Sequence, residues 1–202
     1  MAKRIAFEEI LNQPLRWPRQ GDEPFVSTNE PDDNAHIASD WFARLVYMME
    51  GYKEAADRLV EAAELNPVDR HILVYPIVFN YRQFIELNLK YHIAVYGSSV
   101  GVGPIWNTHN LVQLWSHFAN ILEKYGTSDP DEADPVVMDV IAQFAKIDEQ
   151  SFAFRYPLDN KGNEIPLTRS DLNLRTLADV MKALDSYFKG CDSYLSSARW
   201  KV

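Results

Sequence analysis

Residues 34–65 read NAHIASDWFARLVYMMEGYKEAADRLVEAAEL. Within them Trp41, Leu45, Met48, Tyr52, Ala55, Leu59 and Ala62 recur at alternating steps of four and three, which is the repeat of an α-helix with one apolar face. The spacing predicts one long helix from Asn34 to about Leu65. Asn66-Pro67 ends it, because Pro67 disfavours the α conformation in the residue before it, and Asp69 is placed to cap the next helix. The seam on this first helix packs either against the rest of the chain or against a second subunit.

Working outward, the apolar period resumes at about Asp69 and runs to Tyr96, passing Pro76, which removes one backbone hydrogen bond and kinks the first third. Two helices joined this tightly are antiparallel neighbours. Gly97, Gly101 and Gly103 mark a loop before a third helix, Thr108 to Tyr125, with Leu111, Leu114, Trp115, Phe118, Ile121 and Leu122 inward. A turn rich in Asp and Pro leads to a fourth helix, Val136 to about Glu149, with Asp134 as cap and Pro135 in its first turn. Between Ser151 and Arg169 the helical period vanishes, and Phe152, Phe154 and Tyr156 alternate up to Pro157 and the turn Asp159-Asn160-Lys161-Gly162. A last helix spans about Asp171 to Ser197. Towards the start, residues 13–33 carry Pro14, Pro18, Pro24 and Pro31 and read as an irregular connector after a short amphipathic helix over residues 1–12. The expected architecture is all-α: an up-and-down bundle of about four or five helices with one extended loop or short hairpin near residues 151–169. The whole chain, 1–202, reads as one domain, with 1–33 packed on it.

Composition narrows the classes of function. A 202-residue chain that is 47% hydrophobic and 12% aromatic can fold by burial alone. No stretch approaches a membrane span, since even Val74 to Tyr96 carries Arg82, Glu86, Lys90 and His92. The first residues lack an apolar signal core, and the single cysteine, Cys191, has no partner for a disulfide, so a cytoplasmic protein is expected. Cys191 falls among Leu184, Phe188 and Leu195 and reads as a small core residue. The net charge of −9 argues against DNA binding, and leaves only a local basic groove built from Arg82, Lys90, Arg155, Lys161, Arg169 and Arg175 if the fold gathers them.

Motifs for chemistry are sparse. The glycines after Tyr96 lack a Gly-Lys-Ser/Thr ending and follow a helix, so they form no phosphate loop. The five histidines lack ligand spacing and no Glu-x-x-His pair occurs; neither a metal nor a cofactor is expected. Two features remain. Arg82, Glu86 and Lys90 stand four apart and share one helix face, either as a salt-bridge ladder or as a ligand-contacting row. Thr108-His109-Asn110 opens the third helix, either as a cap or as a polar site. A third arrangement is a ligand pocket lined by Trp106, Trp115, Phe154 and Tyr156, with Arg82 or Arg155 anchoring an anion.

These same residues resemble a known family. The run Tyr75-Pro76-Ile77-Val78-Phe79-Asn80-Tyr81-Arg82-Gln83-Phe84-Ile85-Glu86-Leu87-Asn88-Leu89-Lys90 is similar to the Arg-x-x-x-Glu-Leu-x-Leu-Lys helix of HEPN-like bacterial proteins. Thr108-His109-Asn110-Leu111 resembles their His-Asp/Asn-Leu helix start, and Phe154-Arg155-Tyr156-Pro157 their Arg-Tyr-Pro segment, in the same order. The resemblance covers about residues 70–160. It implies an all-α bundle that dimerises or joins a partner protein, in a family that holds metal-independent RNA-cleaving toxins, antiphage effectors and non-catalytic binding members. The nucleases carry Arg followed after four to six residues by His, so that a guanidinium stabilises phosphate charge while an imidazole moves the proton of the 2′-hydroxyl. No Arg in this chain is so followed. The expected function is therefore a binding or assembly module in a phage-defence or toxin–antitoxin setting. The alternatives are a divergent RNase using Arg82, Arg155 and His109 or His92, and a binder of small anions using Arg82, Glu86, Lys90, Trp115 and Tyr156.

Overall fold

The computed structural model describes residues 16–129, 132–148 and 151–198. The helix expected over residues 1–12 lies outside them. Asp40, not Asn34, starts the first long helix: its carboxylate accepts from the Ala43 N–H at 2.8 Å. Asn34 is occupied instead by a local turn, accepting from the Thr28 N–H and donating to the Thr28 carbonyl. Five α-helices follow: α1 Trp41–Leu65, α2 Arg70–Tyr96, α3 Leu111–Lys124, α4 Ala133–Ile147 and α5 Leu174–Ala198. Two short 3-10 turns, Pro31–Asp33 and Gly97–Val100, complete the regular structure among the described residues. Residues 16–37 form one compact unit and the described residues from Ala38 onward another.

Side-chain caps explain the other boundaries. Asn110 accepts from the Gln113 N–H, so α3 starts three residues later than Thr108. Asp129 accepts from the N–H groups of both Ala133 and Asp134, taking the capping role expected of Asp134, which lies inside α4 and binds the Tyr187 hydroxyl. Asn173 accepts from the Thr176 N–H and sets the start of α5.

The helices form the expected all-α bundle, with α2 at its centre against α1, α3 and α5. Burial on α1 follows Leu45, Met49, Ala56, Val60 and Ala63, while Trp41 and Met48 stand exposed. The apolar arc of α1 is thus broader than the face it buries. Side-chain pairs fix the helix directions. Phe42 meets Tyr91, Tyr52 meets Phe79 and Asp57 meets Tyr81, so α1 and α2 are antiparallel. By contrast Glu86 meets His109, His92 meets Phe118 and Tyr96 meets Tyr125, so α2 and α3 run the same way. Strict alternation is therefore broken at one step, and residues 97–110 must return along α2 before α3 can begin.

That return is built tightly. The Val102 N–H donates to the Gly97 carbonyl at 2.8 Å, and a Cβ on Gly97 would collide with the Val102 carbonyl oxygen. Between α4 and α5 the described residues hold no helix: Leu158 and Glu164 form an isolated antiparallel bridge closed by the turn at Asp159 to Gly162. The extended loop or short hairpin expected there takes this form. Among the described residues no helix is long and apolar enough to cross a membrane.

Candidate functional site

The polar row on α2 is buried. Arg82, Glu86 and Lys90 are 0%, 2% and 6% exposed, a placement that charged side chains tolerate only when paired. Their partners explain it. The returning segment 97–110 and the end of α4 press irregular backbone against α2, and buried carbonyls need donors. Arg82 supplies them: Nε donates to the Asp148 carbonyl at 2.9 Å, Nη2 to the His109 carbonyl at 2.8 Å and Nη1 to Glu86 Oε2 at 3.0 Å. Lys90 Nζ donates to Glu86 Oε1 at 2.8 Å and to the Trp106 carbonyl at 3.3 Å. Two cations one turn either side of Glu86 thereby stitch two chain segments to the central helix through three carbonyls.

Glu86 holds a third group. His109 Nδ1 lies 2.9 Å from its Oε1, while the His109 side chain is 64% exposed. Burial pushes the Glu86 carboxyl up, but Lys90 and His109 outweigh it and hold the group below the ordinary glutamate value. With Glu86 ionised, Nδ1 is the nitrogen that donates to it, so in the neutral ring the lone pair lies on Nε2. The result is an exposed imidazole oriented by a buried carboxylate, an arrangement able to accept a proton from a hydroxyl or a water.

Asp148 joins this site without any mark in the sequence. It is 3% exposed; its Oδ1 accepts from the N–H groups of Phe152 and Ala153, while Oδ2 accepts no hydrogen bond among the described residues and lies 3.8 Å from Arg82 Nε. Nothing local marks it, since it falls in an ordinary charged run after Ile147, and only the fold brings it to Arg82.

The remaining expected site residues divide among other places. Trp115 is buried beside Phe118 and Tyr187 in the core, so it cannot line an open site. His92 is 1% exposed among Tyr91, Tyr96, Phe118 and Phe188, with its ring nitrogens on the carbonyls of Asn88 and Phe188, and burial pushes its pKa down. It is a core histidine out of a substrate's reach. Arg82 is likewise enclosed, which removes it from direct contact with a phosphate. Arg155 and the half-exposed Tyr156 sit on the segment after α4, where Arg155 Nε donates to the Ser151 carbonyl and its guanidinium stacks on Phe79, Phe152 and Tyr156. Trp106 belongs to another patch: its ring meets Trp41 at 6.2 Å, Trp41 meets Phe42 at 5.7 Å, and Phe42 meets Tyr91 at 5.8 Å.

Of the six cations weighed for a basic groove, Arg82 and Lys90 are interior, Lys161 is exposed in the turn after Asp159, and Arg155, Arg169 and Arg175 line adjoining clefts that share Tyr75. Cys191 is half-buried beside Tyr187, and burial pushes its thiol up to about 11, away from thiolate chemistry. Among the described residues no group of three or more His, Cys, Asp or Glu is arranged to hold a metal ion. In comparisons with known protein families, curated proteins and solved structures, nothing matches this chain.

Proposed function

We propose that the chain is a binding or assembly module that pairs with a second copy of itself through the aromatic patch of Trp41, Phe42 and Trp106. The observation that carries this reading is the exposure of those rings, 59%, 39% and 48%, although they already touch one another in edge-on contacts. Large aromatic rings left open together on a surface favour association, because their burial removes water from wide apolar area. The resemblance to HEPN-like proteins points the same way and supplies the bacterial phage-defence or toxin–antitoxin setting of the proposal. Sedimentation equilibrium tests it: the native chain is expected to be dimeric at micromolar concentration, and Trp41→Ala with Trp106→Ala to shift it to monomer with an unchanged circular dichroism spectrum. A native chain that remains monomeric at every concentration ends the self-assembly reading.

A second reading, a metal-independent RNase, is favoured by the exposed His109 on the buried Glu86. In it His109 Nε2 takes the proton of a 2′-hydroxyl, and Arg155, whose guanidinium is open to solvent, meets the phosphate. Cleavage of varied RNAs in EDTA decides it: loss of activity in both His109→Ala and Arg155→Ala, with unchanged melting, supports the reading, and silence of the native chain removes it.

A further inference from the structure

Arg155 heads a cleft that neither reading uses in full. The cleft has a volume of about 520 Å³ and is lined by Tyr75, Phe154, Tyr156, Leu158, Ile165 and Leu167 beside Arg155. That size suits a small molecule. Four of these apolar side chains, Tyr75, Tyr156, Leu158 and Leu167, keep 40% or more of their surface open, which is costly to leave wet and useful to cover.

The cationic end is held in place. The Arg155 guanidinium lies 4.9 Å from the Phe152 ring centroid, 5.5 Å from Tyr156 and 5.6 Å from Phe79, and its Nε is tied to the Ser151 carbonyl. Among the described residues its terminal Nη groups carry no hydrogen bond, so a fixed fork of donors is open. The opposite wall is equally set. The Ile165 N–H donates to the Pro157 carbonyl, and Asp159 accepts from the N–H groups of Lys161 and Asn163 and from the Asn163 amide, locking the turn. Glu164 also lines the cleft, so its lining carries one guanidinium and one carboxylate and its charge sums to zero. A polyanion gains nothing there, whereas a single carboxylate can take the Arg155 fork while its apolar body covers the open rings and leucines.

We infer that this cleft binds a small monocarboxylate with an aromatic or aliphatic body, its carboxylate on the Arg155 Nη groups. The site is independent of the aromatic patch and of His109.

The test is isothermal titration of the full chain with 3-phenylpropionate and octanoate, against 3-phenylpropanol, octanol and phenyl phosphate. Saturable binding of at least one carboxylate is expected, with its alcohol weaker by about tenfold or more, the scale of a charge-assisted hydrogen bond. Arg155→Ala loses at least as much, Leu167→Ser weakens binding, and His109→Ala leaves it unchanged. No saturation by either carboxylate below about 10 mM, equal binding of acid and alcohol, or an unaffected Arg155→Ala whose melting matches the native chain would each overturn the assignment. Tighter binding of phenyl phosphate than of the carboxylates also overturns it, and assigns Arg155 to phosphate.

Discussion

On α1, Arg58 meets Glu54 at 2.6 Å with 76% and 61% of their side chains exposed; on α2, Arg82 meets Glu86 at 3.0 Å with 0% and 3% exposed. The residue types and the four-residue spacing are the same. What differs is the order along the helix, a matter of a few tenths of a kcal/mol at most (about 0.2–0.5 for a whole pair), and above all the rest of the chain. The α1 pair faces water, where attraction is weak and two long side chains must be ordered to make it. The α2 pair faces the carbonyls of His109 and Asp148, where no water competes and each missing donor leaves a buried polar group unsatisfied. Spacing therefore tells which charges can meet, and only the packing of other segments tells what the meeting is worth.

The sharpest break of this comparison is Arg82→Met. It takes from Asp148 its nearby cation and from Glu86 one of its partners, leaving Lys90 and His109, and it frees two buried carbonyls; a loss of about 3–5 kcal/mol in urea unfolding is expected, enough to unfold a marginal chain. Arg82→Lys is expected to recover at most part of it, because one ammonium cannot span three acceptors set in a fork. Adding Glu86→Leu to Arg82→Met should cost less than the two single changes together, since each single change already removes the same ion pair. Strict additivity would mean that the pair contributes nothing as a pair.

A second break acts on the segment rather than the cations. Gly97→Ala drives a Cβ into the Val102 carbonyl oxygen and displaces the start of the return along α2. The expected loss is about 1–3 kcal/mol, typical of overpacking. A neutral result would show that the segment is held by Lys90 and Arg82 alone.

These two predictions also mark where sequence reasoning reached and where it stopped. The existence of five helices, the polar row at Arg82, Glu86 and Lys90, and the break between α4 and α5 were legible, because each depends on spacing within one element. The parallel course of α2 and α3 was not, since nothing in the glycines at 97, 101 and 103 says which way a loop returns. The burial of the row follows from that return, so it was hidden for the same reason. His109 was legible as a candidate and its orientation by Glu86 was not, because the contact joins residues 23 apart through a loop whose path was unknown. Asp148 could be found only from the fold. Trp41 belongs to the apolar seam read from the sequence and stands exposed in the fold, because a 3.6-residue repeat marks an apolar arc without marking which edge of it is covered.

Acid titration sharpens the comparison by separating buried groups. Burial holds the His92 imidazole below the ordinary histidine value of about 6.5, outweighing the attraction of Asp192. Below that pH the unfolded chain gains a proton that the folded chain refuses, so stability is full above about pH 6.5 and falls as pH drops. Glu86, whose folded pKa is also lowered, keeps its contribution above the ordinary glutamate value of about 4.3 and loses it as pH falls through the lower folded value. Unfolding free energy measured from pH 8 to pH 3 should therefore show two descending limbs. His92→Gln is expected to flatten the upper limb and leave the lower one, and an unchanged upper limb would place that proton uptake on another histidine.

The smallest effect belongs to the exposed pair. Arg58→Ala removes a contact whose two ends already sit in water, and the new residue has the highest helix propensity of all. The hydrogen bond to Glu54 raises the Arg58 pKa, but at full exposure that shift carries no stability worth counting. The denaturation midpoint is expected to stay where it was, at low salt and at high. Should Arg58→Ala instead destabilise the chain on the scale of Arg82→Met, burial would not be what separates the two rows. The four-residue spacing would then carry the energy by itself, and the backbone carbonyls around Arg82 would be bystanders to an ion pair that needs no desolvation to matter.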